Sequence, residues 1–94
     1  GEAASPEDLA KIRAAIENGD QGRVIHIKTV HLGPEEILVA AKIRIHDADT
    51  GITVANEIDK TEERIREAVP AARVIYLEPD VYRPKAQDST SVSH

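Results

Sequence analysis

Three histidines, His26, His31 and His46, stand in a stretch from Val24 to Asp47 that alternates apolar and polar residues. Imidazoles grouped on one face would offer a divalent cation its commonest nitrogen ligands. Parity decides which of them can cooperate. His26 and His46 hold even positions and share a face of any regular hairpin, whereas His31 has the opposite parity and joins them only through a bulge. The even face also carries Lys28, Lys42 and Arg44. A divalent ion held ~6 Å from one fixed cation is disfavoured by roughly 5 kcal/mol at an effective dielectric of about 20. Two nitrogens do not easily offset that. The histidines are therefore expected to be solvated or interfacial, and any metal to bind weakly and only when the imidazole is neutral.

Other reactive constellations are missing. The chain has no cysteine, which excludes disulfides, thiolate zinc sites and a thiol nucleophile. The acidic loop that starts at Asp47 resembles the opening of a calcium loop, but Gly51, Ile52 and Ile58 fall where ligands and the turn glycine are needed. Glu57, Asp59, Glu62, Glu63 and Glu67 crowd one segment, and Arg66 lies one helical turn beyond Glu62, as on a solvated helix face. No serine, histidine and acid trio has a structural context, and no glycine-rich phosphate loop occurs, so no enzymatic activity is expected. Tyr76 and Tyr82 are the only aromatics, which leaves single-stranded nucleic acid without a stacking platform. A net charge of −5 disfavours duplex DNA and anionic membrane as partners of the whole surface. The longest apolar run, Ile37 to Ala41, is too short to span a bilayer.

The elements that would position these residues follow from periodicity. Ser5, Pro6, Glu7 and Asp8 supply an N-cap, a first-turn proline and acids at the positive end of a helix. Leu9, Ile12 and Ile16 recur at helical spacing until Asn18-Gly19. From Arg23 the period becomes two, with Ile25 and Ile27 on one side and Val24, His26, Lys28 and Val30 on the other. Gly33-Pro34-Glu35-Glu36 turns the chain, and Ile37, Val39, Ala41, Ile43 and Ile45 then alternate with Leu38, Ala40, Lys42, Arg44 and His46, which predicts an antiparallel hairpin. Thr53 is expected to cap a second helix with a stripe of Val54, Ile58, Ile65 and Val69, ended by Pro70. A last strand runs from Ala72 to Glu78, and residues 81–94 read as a disordered polar tail.

The order helix, strand, strand, helix, strand predicts an α+β, ferredoxin-like αββαβ sandwich over residues 1–80. The expected sheet is antiparallel, three-stranded and ordered 2-1-3, with two helices on one face. The other face stays open. It is too apolar for plain solvent surface and too charged for core, which suits a protein–protein interface, with Val24, Val30, Leu38 and Tyr76 as homodimer contacts. A domain of this size buries only about 60–65% of its unfolded surface, so self-association would help it.

The segments GEAASPEDLAKIRAAIE, VHLGP with ILVAAKIRI, and ERIREAVPAARVIYLEPD, in that order over residues 1–80, resemble the cytoplasmic C-terminal domain of cation diffusion facilitators. These are membrane transporters that export zinc and other divalent ions, usually as dimers and in exchange for protons. The resemblance implies a soluble regulatory and dimerisation domain on the cytoplasmic side of the cell membrane, joined to an N-terminal transmembrane domain absent from this chain. It also implies where regulatory metal would bind on the open face. The first-strand histidine of relatives falls on His26 or Ile25, the second-strand one near Lys42, the helical one on Ala55 or Asn56, and the last-strand motif on Tyr76 to Pro79. His26 and Glu78 are the ligands left, with His46 reachable across a dimer, and the expected metal is Zn2+ held weakly. The alternative function is a free-standing ferredoxin-like domain that binds a small regulatory molecule.

Overall fold

The computed structural model describes residues 1–45 and 51–80. His46 and the tail at 81–94 lie outside them. The elements are α1 (Pro6–Glu17), β1 (Gly22–Gly33), β2 (Glu36–Ile45), α2 (Gly51–Ala68) and β3 (Val74–Asp80).

The first helix is closed at both ends as its sequence prescribes. Ser5 is extended, and its hydroxyl accepts the Asp8 N–H at 3.1 Å. Asn18 takes the left-handed conformation at φ 42° and donates its N–H to the Ala14 carbonyl at 2.8 Å, and Gly19 follows at φ 74°. The chain then enters β1 so close beneath the helix that a Cβ on Gly22 would lie 2.5 Å from the Ile16 carbonyl oxygen.

Strands β1 and β2 pair antiparallel from Gly22↔Ile45 to Gly33↔Glu36. The odd residues of β2, Ile37, Val39, Ala41, Ile43 and Ile45, are all buried beneath the helices and form the core with Ile12, Ile16 and Ile65. On β1 the pairing slips twice, at Leu32 beside the hairpin turn, between His31↔Ile37 and Gly33↔Glu36, and at Ile25. Pairing steps from Val24↔Ile43 directly to His26↔Lys42, so Ile25 is the extra residue of a bulge. Val24 consequently turns to the core side beside Ile43, and Ile25 is 42% exposed. This corrects the placement of Ile25 toward the helices and of Val24 among the open-face contacts: two adjacent β-branched residues gave no sign of which was unpaired.

The sheet order is β1-β2-β3, with β2 and β3 parallel. A mixed sheet thus replaces the antiparallel 2-1-3 arrangement. The handedness rule fixes the hand of the β2–α2–β3 crossover, not the edge on which β3 lands. Two features favour β2 as its neighbour. The inward side of β2 is aliphatic along its whole length, as a central strand requires. The outer edge of β1 is partly taken by the N-terminal segment: the Glu2 carbonyl accepts the His31 N–H at 2.6 Å, and buried Ala4 donates its N–H to Thr29 Oγ1 at 3.0 Å.

Helix α2 starts at Gly51, so Thr53 lies within its first turn and not at the N-cap position. Its buried residues are Ile65 and Thr61, whose hydroxyl donates to the Glu57 carbonyl at 2.7 Å. Arg64 donates from Nε to the Ala15 carbonyl at 2.8 Å and from a terminal nitrogen to Thr61 Oγ1 at 3.1 Å, linking the helices directly.

Candidate functional site

Pairing across three strands sorts the open face into rows. At the hairpin end Val30, Leu38 and Val74 lie side by side; next come Lys28, Ala40 and Tyr76, then His26, Lys42 and Glu78, and last Arg23, Arg44 and Asp80. The face therefore grades along the strands from wholly aliphatic to wholly charged. Val30, Leu38 and Val74 are half-buried, whereas Tyr76 is 64% exposed. Val30, Leu38 and Tyr76 thus occupy the surface expected of them, and Val74 joins them in place of Val24.

The third row holds the candidate metal ligands, His26 and Glu78, on outer strands with Lys42 between them. Two strand spacings separate the ends of such a row, roughly 10 Å. Lys42 Nζ lies 3.7 Å from Glu78 Oε2, so the carboxylate is already turned to a cation of the chain itself. His26 is exposed. His31 is half-buried beside Ile37 on the core side of the ladder, with Nδ1 3.1 Å from the Gly33 carbonyl oxygen, and so stands apart from His26. The helix residues Ala55 and Asn56 are exposed and carry no ligating group suited to zinc. Among the described residues no group of three or more histidines and carboxylates could hold a metal ion. The row as it stands does not fit a tight divalent site.

The fourth row contains an ion pair that sequence reading did not find. Arg44 donates to Asp80 Oδ2 at 3.1 Å, and both side chains are about two-thirds covered, at 36% exposure each. Arg23 lies directly across the ladder from Arg44, a like-charge pairing, and Arg44 Nε is buried without a partner. The last strand runs through Pro79 to Asp80 because β3 is an edge strand, where a residue without an N–H leaves no neighbouring strand unpaired. An acid two residues beyond Glu78, at the same parity, was the available signal.

An αββαβ fold with an open, partly apolar sheet face defines the class: the chain has the fold of the cytoplasmic C-terminal domains of cation diffusion facilitator transporters. The particular structures that it resembles are C-terminal domains of MamM. A histidine-to-alanine variant matches with a TM-score of 0.73 at 15% identity, covering 85% of this chain and 100% of that one. The nickel form of another variant gives 0.73 at 14% identity, covering 84% and 100%, and a cadmium form gives 0.72 at 14%, covering 83% and 98%. At such identities the fold is what is shared. No family model matches the sequence, and no curated protein sequence does. No helix among the described residues is long and apolar enough to cross a membrane.

Proposed function

We propose that this chain is the cytoplasmic regulatory and dimerisation domain of a divalent-cation efflux transporter, zinc being the leading substrate, whose membrane-spanning part lies outside this sequence. The supporting observation is the fold, matched over 82–85% of the chain and 94–100% of the MamM domains. The neighbours' nickel, copper and cadmium forms lend weight to a divalent metal as partner. The domain acts by association, not catalysis. Two copies meet through the aliphatic end of the open face, around Val30, Leu38, Val74 and Tyr76, beneath the cytoplasmic side of the cell membrane. Zinc binds the domain itself only weakly, at His26 with Glu78 or across the dimer with His46.

The genomic sequence preceding Gly1 tests the transport reading: several hydrophobic spans of about 20 residues each are expected there. An initiation codon at that point overturns it. Sedimentation of the isolated chain tests the association, with a monomer at several hundred micromolar as the contrary result.

A further inference from the structure

We propose that Lys42 is the resident cation of the open face and that it keeps divalent cations out of a row otherwise placed to bind them. The inference rests on the sheet register and not on the transport reading, so the two fail separately.

His26, Lys42 and Glu78 are consecutive partners across β1, β2 and β3, all on the face that neither α1 nor α2 covers. A cation coordinated by both His26 and Glu78 must sit above the middle strand, where the Lys42 side chain already projects. Its ammonium is 3.7 Å from the Glu78 carboxylate and so supplies the positive charge that a metal would bring. An ammonium has three donors and no lone pair, so it can satisfy a carboxylate but never coordinate beside a histidine. The neighbouring rows do not share this arrangement. Ala40 lies between Lys28 and Tyr76, without a carboxylate, and Arg44 lies between Arg23 and Asp80, without a histidine. Among the described residues Lys42 alone is thus flanked across the sheet by a histidine on one side and a carboxylate on the other.

The row therefore differs from a three-ligand zinc site by one central side chain. Replacing Lys42 by histidine removes the resident charge and supplies a nitrogen at the middle of the row, giving two imidazoles and a carboxylate from three adjacent strands. Three protein ligands of this kind are a common zinc set. The Lys42 side chain is 44% exposed, so the substitution leaves the core packing untouched.

Zinc titration by calorimetry on the whole chain, with circular dichroism to establish folding, decides the matter. The parent chain is expected to bind zinc no more tightly than about a hundred micromolar. Lys42→His is expected to bind one ion per chain at least a hundredfold more tightly, and to lose that gain when combined with His26→Ala or with Glu78→Gln. Ala40→His, which places a histidine in the adjacent row, is expected to gain less than a tenth as much. The proposal is overturned by a parent chain that already binds below a micromolar through His26, by Lys42→His without a gain, or by Ala40→His with an equal one. Should Lys42→His fail to fold, Lys42→Gln takes its place, and must bind zinc at least several-fold more tightly than the parent for the proposal to stand.

Discussion

The two ends of the open sheet face are built from the same three strands and differ in almost everything else. At the hairpin end Val30, Leu38 and Val74 make a row with no polar atom beyond the backbone; at the far end Arg23, Arg44 and Asp80 make a row with no aliphatic terminus. Burial does not produce the contrast, since Leu38 and Arg44 are both half-buried on the central strand. What separates them is what a second molecule could do for each. Aliphatic groups gain by losing water, about 25 cal/mol for each Å² covered. Charges that already have a partner gain little, and lose solvation on being covered. The aliphatic end is suited to association, and the charged end to staying wet.

The widest test of that division breaks the aliphatic end. Val30→Asp together with Tyr76→Asp puts a carboxylate on each of two neighbouring rows, and any dimer formed there would have to bury four of them. Self-association is expected to weaken by more than a hundredfold, measured by sedimentation equilibrium, with an unchanged circular dichroism spectrum. Arg23→Asp with His26→Asp, which puts a carboxylate on each of the other two rows, is expected to shift association less than tenfold. Equal effects from the two pairs would erase the distinction between the ends.

A smaller effect is expected at the Arg44–Asp80 pair. Asp80→Asn leaves a partly covered guanidinium opposite Arg23 with no carboxylate, and is expected to lower stability by about 1 kcal/mol after allowance for solvent screening, read from urea denaturation. Arg44→Leu removes the unpartnered Nε and the like-charge contact together, so its stability is expected to match or exceed that of the parent. A loss beyond about 2 kcal/mol in Arg44→Leu would mean that the ion pair holds β3 in register.

How far the sequence disclosed this face varies by residue, for physical reasons. Ser5-Pro6 and the Leu9, Ile12, Ile16 spacing delimit α1 because caps and helical period are local signals. The inward set on β2 is legible because five alternate aliphatics admit one parity only. The β1 bulge was hidden, because Val24 and Ile25 are equally suited to either side. Strand order was hidden as well, since it depends on which edge is free, and the Glu2 and Ala4 hydrogen bonds to β1 are contacts between segments that no window of sequence contains. That error mattered for the site. With β3 beside β1, His26 and Glu78 would be neighbours; with β3 beside β2, Lys42 stands between them.

The smallest expected effect sharpens the comparison most finely. Glu78→Gln removes the partner of Lys42, but the Glu78 side chain is 72% exposed and the contact is 3.7 Å, so water replaces the carboxylate readily. The loss is expected to be below about 0.5 kcal/mol in dilute protein and to disappear in about 0.5 M salt, where surface charges are screened over a few ångströms. Urea denaturation at low and high salt measures it. The same pair also reports on how far a dimer reaches along the face. If the seam is confined to the rows of Val30 and Tyr76, the effect of Glu78→Gln is the same at micromolar and at several hundred micromolar protein. A loss that grows with protein concentration would mean that the partner covers the third row and desolvates the ion pair, moving the boundary between the apolar and charged ends one row toward Arg44.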